Sequence, residues 1–432
     1  MPIPAIESLS KESIKIFQEV KLKEALHYLN SKSPYYSNLF KTHGIDISQI
    51  KEIEDLCKIP VTTKHDLQER NSEFLCVDKV KIIDYVTTSG TSGEPVTFAM
   101  TDKDLDRLAY NEYLSFLCAN GTKTDIYQLT ATMDRMFMAG LAYFLGARKL
   151  GAGIIRVGSG SPELQWDTIH KMQPTAIIGV PSFLLKLIEY AQHNNIDNSA
   201  STIKTAICIG EPLRDPDFNL NSLGKRIHEN WDLKLYSTYA STEMGTAFTE
   251  CAEGLGGHHH PELIIVEFLD ENNNPVSEHE AGEITVTTLG MEGMPLLRFK
   301  TGDVCHRYYG KCGCGRNTMR LGPIIGRKNQ MIKYKGTTLY PSALYNVLDA
   351  IRGLSDYLIE VSRNEIGTDE ILIKAFSCNP SEELAKEIKD HVKAKLRVTP
   401  TIEMAASELN GKSQLNSSSR KHVKFIDKRV NE

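Results

Sequence analysis

The spacing of apolar residues along the chain predicts a helical N-terminal region. From residue 10 to residue 42, apolar positions such as Ile14, Phe17 and Leu29 recur at roughly helical intervals, with an interruption at 33–36. Further on, two short apolar runs, 82–86 and 96–99, predict strands. Thr101 or Asp102 then suits the N-cap of a helix that ends near residue 119.

The pattern changes between residues 125 and 210, where short apolar runs alternate with helical segments. The predicted strands are 126–130, 153–157, 176–179 and 205–210, and the predicted helices are 140–150, 167–172 and 182–192. Strands rich in Ile and Val that alternate with helices predict a parallel sheet covered on both faces. Ligands of such sheets bind at the carboxyl ends of the strands. The segments 179–182, 210–212 and 239–243 each follow a predicted strand, so we expect them at one edge.

Shorter strands joined by turns, at 263–268, 283–288 and 296–299, predict a small antiparallel sheet or distorted barrel. After residues 326 and 327 the pattern becomes a new mixture of strands and helices, typical of an α+β domain. The fold class is therefore α/β. We predict a large N-terminal domain at 1–326, with a subdomain at about 250–316, and a smaller C-terminal domain at 327–432.

Composition excludes several classes of function. The 432 residues are 41% hydrophobic and 24% charged, as in an ordinary soluble globular protein. A net charge of -5 shows no basic surplus, so nucleic acid is not expected as a partner. No run of eighteen apolar residues predicts a membrane span, and the first residues do not resemble a signal peptide. Most of the nine cysteines are scattered singly, which favours reduced thiols and a cytoplasmic location.

One hydroxyl- and glycine-rich loop lies between the strands predicted at 82–86 and 96–99. Its backbone N–H groups and hydroxyls are suited to wrap a polyphosphate, although a mobile hairpin loop is the alternative. It is not a Walker A loop, because no Gly-Lys-Ser/Thr follows. The candidate phosphate-binding residues are Ser89, Gly90, Thr91, Ser92 and Gly93.

A second candidate segment combines an aromatic ring, two hydroxyls and a carboxylate. It consists of Tyr239, Ala240, Ser241, Thr242 and Glu243. An aromatic ring can stack on a base, and a carboxylate can hold magnesium on phosphates. The alternative is the capped start of a helix.

A third candidate is Asp303, in a segment (298–303) that we expect to end a strand in a tight turn. Its carboxylate can accept from a pair of ribose hydroxyls, whereas most turn aspartates serve only their own backbone. Arg327 lies at the predicted hinge before the C-terminal domain.

Cysteine and histidine residues suggest a metal centre. Cys312 and Cys314 form a knuckle-like turn with intervening glycine, and Cys251 lies upstream of three consecutive histidines, 258–260. Three thiolates and one imidazole make a closed set typical of structural zinc. A chance cluster of buried cysteines is the alternative, and Cys305 is a spare candidate.

These pieces, in this order, resemble the adenylate-forming enzymes and most closely phenylacetate–coenzyme A ligase and its relatives. The resemblance covers nearly the whole chain. It runs through segments 33–36, 59–67, 89–95, 179–182, 210–212, 239–243, 301–303, 312–316, 326–327 and 425–429.

The resemblance implies a two-step reaction. A carboxylate attacks ATP to give an acyl-adenylate and pyrophosphate, the small C-terminal domain rotates, and the thiol of coenzyme A displaces AMP. By the same resemblance, residues 89–93 hold the β- and γ-phosphates, Glu243 holds Mg²⁺, and Asp303 accepts from the ribose with support from Arg327. The adenine is framed by Gly210, Glu211, Pro212 and Tyr239. Lys421 neutralises charge that develops at the carboxylate and the α-phosphate.

The chain departs from the family pattern at three places. Residues 416–420 replace the usual lead-in to Lys421, so Arg420 is a competing candidate, and Asn329-Gln330 replaces an Asp-Asp pair at the hinge. At the third place, Gly256-Gly257 precedes His258, whose register favours His258 over His259 and His260 as the zinc ligand.

The resemblance implies an aryl or arylacetic acid as substrate. An apolar acid pocket or ordinary core packing both suit Met133, Phe137, Tyr143 and Ile209. Homodimers are common among similar proteins, so a homodimer is the oligomeric state to test. Two other functions stay open: transfer of the acyl group to a carrier protein or an amine, and a non-catalytic nucleotide-binding homologue.

Overall fold

A computed structural model of the chain describes residues 3–88, 94–334, 337–364, 368–406 and 424–429. The predicted phosphate-binding residues 89–93, together with Arg420 and Lys421, lie outside the described residues. Within the described part, no helix has both the length and the apolar character needed to cross a membrane. The α-helices are α1 Lys11–Lys32, α2 Pro34–Thr42, α3 Lys64–Glu69, α4 Asp102–Cys118, α5 Met138–Leu150, α6 Pro162–Met172, α7 Pro181–His193, α8 Ser222–Asn230, α9 Pro341–Leu348 and α10 Glu382–Leu396.

Internal contacts divide the chain into two compact units. The first comprises Met1–Thr301 and Cys305–Ile324, and the second comprises Gly302–Val304 and Ile325–Glu432. The second unit thus contains both Asp303 and Arg327. The domain boundary at 326/327 stays a prediction.

The first unit is built around a six-stranded sheet. Its strands are β3 Ile126–Leu129, β4 Gly153–Arg156, β5 Ala176–Gly179, β6 Thr205–Ile209, β7 Lys234–Ser241 and β8 Thr246–Thr249, in the order β4-β3-β5-β6-β7-β8. All neighbours are parallel except β7 and β8, which form an antiparallel hairpin. The predicted parallel sheet is therefore confirmed. Helix α6 begins five residues before the predicted position, because the Ser161 hydroxyl accepts from Leu164 N–H and Pro162 occupies the first turn.

Two further groups of strands belong to the first unit, except for residues 302–304. Strands β1 Ile82–Thr87 and β2 Thr97–Thr101 form an antiparallel ribbon, and a second sheet contains β10 Ile264–Leu269, β11 Gly282–Thr288 and β12 Phe299–Cys305. The strand predicted at 296–299 is wrong in its bounds, since β12 only begins at Phe299. Short strands β9 Gly257–His258, β13 Arg307–Tyr308 and β14 Arg320–Leu321 surround the cysteine-rich turn.

The second unit is an α+β body with its own hydrophobic core. Its main strands are β18 Asp356–Arg363, β19 Asp369–Ser377, β20 Thr401–Ala406 and β21 Phe425–Asp427, in the order β20-β19-β18-β21. Short strands precede them: β15 Gly326–Arg327, β16 Ile332–Tyr334 and β17 Thr337–Leu339. Helices α9 and α10 supply Leu344 and Val392 to a core that includes Ile359 and Ile373.

Candidate nucleotide site and metal centre

Three predicted site segments lie at the carboxyl ends of neighbouring parallel strands. Gly179 ends β5 opposite Cys208 of β6, and Ile209 at the end of β6 lies opposite Thr238 of β7. The segments 179–182, 210–212 and 239–243 therefore meet at one edge of the sheet, where α/β proteins bind ligands.

The loop after β6 is fixed to the loop after β5 by Glu211. Its carboxylate accepts from the Ser182 backbone N–H at 2.9 Å and from the Ser182 hydroxyl at 2.8 Å. It therefore occupies the N-terminus of α7, where a negative charge is favourable. Gly210 has a φ of +77°, a backbone conformation that favours glycine. The predicted adenine-framing segment is thus a rigid turn whose carboxylate is already engaged.

Residues 239–241 do not follow β7 but form its last three positions. The prediction that the segment 239–243 follows a strand is therefore wrong for its first three residues. The alternative of a capped helix start is also wrong, because residues 242–245 form a turn that leads into β8. The half-buried Tyr239 ring lies 6.2 Å from the ring of Phe248, its partner across the hairpin. Ala240 is exposed, and Thr242 and Glu243 are half-buried.

The turn 242–245 is stabilised by contacts of its own residues, and it carries Glu243. Met244 N–H donates to the Ser241 hydroxyl at 3.3 Å, and the Met244 side chain is buried in the core. Among the residues that the structure describes, no hydrogen bond or ion pair engages the Glu243 carboxylate. A free carboxylate at this edge fits the hard oxygen ligand that Mg²⁺ prefers.

The ends of the predicted phosphate-binding loop are held together. Thr88 N–H donates to the Val96 carbonyl at 3.0 Å, and Val96 N–H donates to the Thr88 hydroxyl at 2.9 Å. Thr87 N–H donates to the Met136 carbonyl at 2.9 Å, which ties the start of the loop to the segment before α5. The described residues on either side of 89–93 are therefore joined to each other, Thr88 to Val96.

Asp303 lies inside β12, so the predicted tight turn is wrong. It is buried and pairs with Arg327 across an antiparallel ladder, where Arg327 Nε lies 3.2 Å from Asp303 Oδ1. The structure thus brings together the two residues that the resemblance assigned to the ribose. The sequence predicted a turn here because glycine is common in turns. Gly302 does have a φ of +80°, but the strand continues through it.

The four candidates for an acid pocket do not behave alike. Tyr143 is 2% exposed, and burial raises its pKa well above the ordinary value. Met133 and Ile209 are partly buried against the cluster that contains Tyr143, and Phe137 is half-buried at the start of α5. Tyr143 is thus a core residue, whereas the other three have surface left to meet a ligand.

The predicted metal ligands Cys251, His258, Cys312 and Cys314 gather at one point, with ligand atoms within 4.8 Å of one another. Cys251 Sγ lies 3.5 Å from Cys312 Sγ, and Cys314 Sγ lies 3.5 Å from His258 Nε2. A tetrahedral zinc ion would separate its sulfur ligands by about 3.8 Å and sulfur from nitrogen by about 3.6 Å. The donor set and its spacing therefore fit zinc.

Side chains around these four residues orient them. His258 Nδ1 lies 3.2 Å from the Thr318 hydroxyl, which leaves Nε2 toward the sulfur atoms. Arg316 donates to Cys314 Sγ at 3.6 Å and to the carboxylate of the buried Glu7 at 2.6 Å. Hydrogen bonding from Cys251 and then from His258 lowers the pKa of the Cys314 thiol.

The other histidines and Cys305 take different roles. His259 Nε2 lies 2.6 Å from the Ile264 carbonyl, and His260 Nδ1 lies 2.5 Å from Glu7 Oε1. Cys305 is buried outside the group of four. Sequence reasoning missed Glu7 and Arg316, because nothing in a lone N-terminal glutamate signals a partner 309 positions away.

A second group of possible ligands has the opposite character. Glu19, Glu52 and Glu54 also cluster, but the last two are exposed. Lys15 Nζ lies 2.8 Å from Glu54 Oε2 and 3.4 Å from Glu19 Oε1. A lysine already neutralises these carboxylates, so we assign no metal to them.

Comparisons with known proteins agree with this arrangement. The family model described as AMP-binding enzyme matches residues 44–292, and the model of the AMP-binding enzyme C-terminal domain matches residues 336–429. The chain is 29% identical to a phenylacetate-coenzyme A ligase of Thermus thermophilus, over 92% of this chain and 94% of that relative. It is 28% identical to the Escherichia coli phenylacetate-coenzyme A ligase, over 83% of this chain and 81% of that relative.

Among solved structures, a 2-hydroxyisobutyryl-CoA ligase in complex with an acyl-adenylate superimposes with a TM-score of 0.86. The likeness covers 100% of this chain and 94% of that one at 23% identity, so it establishes a shared fold. Because the first family model alone spans more than half of the sequence, the family is established: the chain belongs to the AMP-binding enzymes.

Proposed function

We propose that this protein is an ATP-dependent acid–coenzyme A ligase that activates an aryl or arylacetic acid as its acyl-adenylate and then forms the thioester. The observation that carries the proposal is the match to a phenylacetate-coenzyme A ligase over 92% of this chain and 94% of that relative. A match of nearly equal extent on both sides leaves no large part of the relative without a counterpart.

Residues of the first unit would bind the adenine and the metal–phosphate group. Because Glu211 is engaged with Ser182, the base would meet Gly210, Pro212 and the Tyr239 ring rather than the Glu211 carboxylate. Glu243 would hold Mg²⁺, which supplies charge neutralisation on the phosphates when bound. Residues 89–93 would contact the β- and γ-phosphates.

Asp303 and Arg327 would bind the ribose, and a lysine would promote the first step. Arg327 Nε lies 3.2 Å from Asp303 Oδ1 and would orient this carboxylate, which would accept from the ribose hydroxyls. We assign the neutralising cation to Lys421. The carboxylate substrate is already an anion, so positioning and charge neutralisation dominate over acid–base catalysis.

Zinc at Cys251, His258, Cys312 and Cys314 would be structural. All four positions of a tetrahedral ion are filled by protein atoms, which leaves none open for a substrate. The homodimer stays a prediction from the resemblance.

The test is acid-dependent ATP–pyrophosphate exchange with phenylacetate, benzoate, 2-hydroxyisobutyrate and a fatty acid. The 2-hydroxy acid belongs in the panel because a ligase for it shares the fold. We expect exchange with an aromatic acid, and exchange with the 2-hydroxy acid alone would overturn the substrate class.

Two neighbouring variants identify the cation of the first step. Lys421→Ala should abolish exchange while ATP still binds, and Arg420→Ala is the matched control that should retain exchange. If Arg420→Ala abolished exchange and Lys421→Ala retained it, Arg420 would be the cation that neutralises the developing charge. Exchange without thioester formation when coenzyme A is added would favour a carrier protein or an amine as the acceptor.

A further inference from the structure

Helix α4 contains a buried arginine whose donors are directed at the backbone of three separate segments. Arg107 donates from Nη1 to the Gly245 carbonyl at 2.7 Å, from Nη2 to the Leu263 carbonyl at 2.6 Å and from Nε to the Leu289 carbonyl at 2.7 Å. Nη2 also lies 3.1 Å from the Thr246 hydroxyl. All four acceptors are neutral oxygens, so the guanidinium acts as a fork that holds backbone and not as one half of an ion pair.

Two of these four acceptors belong to one place, the junction between the Glu243 turn and β8. Gly245 is the last residue of the turn and has a φ of +53°, and a Cβ built on it would lie 3.4 Å from Arg107 Nη1. Thr246 is the first residue of β8. The fork therefore fixes the backbone two residues after Glu243.

A second side chain of α4, one helical turn along, holds the next residue. Asn111 Oδ1 accepts from Ala247 N–H at 2.9 Å. Residues four apart lie on the same helix face, so Arg107 and Asn111 together hold three consecutive residues, 245–247. Glu243 itself, on the free side of the turn, is left out of this network in the part of the chain that the structure describes.

We infer that Arg107 is a positioning residue for metal binding: it fixes the turn that presents Glu243 to the Mg²⁺ of bound ATP. The inference rests on the proposed function for its ligand. Only arginine has the planar array of five donors that reaches several carbonyls at once, so lysine cannot replace it. Burial lowers its pKa to about 10, so the guanidinium stays charged at neutral pH.

The test measures Mg²⁺-dependent ATP binding by calorimetry, with AMP binding in the absence of metal as the reference. In Arg107→Lys, we expect the Mg²⁺ concentration for half-maximal ATP binding to rise about tenfold, as for other residues that orient a metal ligand. AMP affinity should change less than about twofold, because AMP binding without metal does not require Glu243. Lys103→Met, an exposed change on the same helix, is the matched control and should shift neither value.

A milder variant covers the case in which Arg107→Lys does not fold. Thr246→Val keeps the shape of the side chain and removes one acceptor of the fork, so we expect a rise of about threefold in the same Mg²⁺ concentration. Equal losses of ATP and AMP affinity, or a lower melting temperature with unchanged Mg²⁺ dependence, would overturn the inference. Because the readout is binding, it remains decisive even if no acid supports exchange, a result that would count against the proposed function alone.

Discussion

The two ends of the β7–β8 hairpin are built from opposite kinds of interaction. At one end the turn 242–245 presents a half-buried Glu243 and is held by neutral hydrogen bonds and the Arg107 fork. At the other end Glu250 and Cys251 are buried. There Arg214 grips both carboxylate oxygens of Glu250, at 2.7 and 2.9 Å, and Ser237 N–H donates to it at 2.9 Å.

The difference shows how one short hairpin separates binding from support. At the Cys251 end, Arg214 and Ser237 engage both oxygens of the Glu250 carboxylate, so this carboxylate stabilises the fold and does not serve a nucleotide. At the turn end the backbone is fixed, while no hydrogen bond or ion pair within the described part of the chain engages the Glu243 carboxylate. A site needs both, because a metal ligand must be held in position without being neutralised.

The largest effect on stability should come from the proposed zinc centre at the Cys251 end. Cys312→Ser removes one thiolate from a closed set, so we expect loss of bound zinc and a fall of at least about 3 kcal/mol in the free energy of unfolding. Metal analysis of the purified protein and urea unfolding measure the two effects. The matched control is Cys208→Ser, a buried cysteine outside the cluster, which should keep its zinc. Equal zinc content in both variants would refute the assignment.

A similar loss is expected from the ion pair beside the cluster. Arg214→Met leaves Glu250 buried without its cation, which typically costs about 3–5 kcal/mol. Burial already raises the pKa of Glu250, and without Arg214 it should rise further, since that guanidinium opposes the shift. The native state would then bind the proton more tightly than the unfolded state, so stability should fall as pH rises from 5 to 8.

A second substitution tests whether the unpaired charge of Glu250 causes this loss of stability. The double variant Arg214→Met with Glu250→Gln removes the lone charge and should recover part of the stability at pH 8 and abolish the added pH dependence. Urea unfolding at both pH values provides the measurement. If the single variant were equally stable at pH 5 and pH 8, the ion-pair account would fail.

The turn end should show a smaller effect in free energy, and one confined to activity. Glu243→Gln keeps the shape of the side chain and removes the proposed Mg²⁺ ligand, so we expect exchange to fall about 100-fold, or about 2.7 kcal/mol. The melting temperature should stay unchanged. Glu229→Gln, an exposed change at the end of α8, serves as control in the same exchange assay. If Glu243→Gln lowered the free energy of unfolding as much as Arg214→Met does, the two ends of the hairpin would not differ as described.

Local patterns predicted the elements of the fold well. The Ile- and Val-rich runs gave the parallel strands, and Thr101, one of the two predicted N-caps, caps helix α4. The spacing of Cys312 and Cys314, with Cys251 upstream, gave three of the candidate metal ligands that the fold brings together, and the family resemblance selected His258 from three histidines.

The side chains that hold the site were out of reach of such patterns. Arg107 and Gly245 are 138 positions apart, and Glu7 and Arg316 are 309 apart. Such pairs become visible only when the sheet has placed their elements together. The turn predicted at Asp303 was wrong because Gly302, a residue typical of turns, lies inside a strand that continues to Cys305.

The most direct test of the account is to incubate the protein with phenylacetate, MgATP and coenzyme A and to measure the products by mass spectrometry. The account predicts phenylacetyl-coenzyme A with one AMP and one pyrophosphate per thioester, and AMP formation that depends on the acid. ADP in place of AMP, or no thioester from any acid that supports exchange, would contradict it.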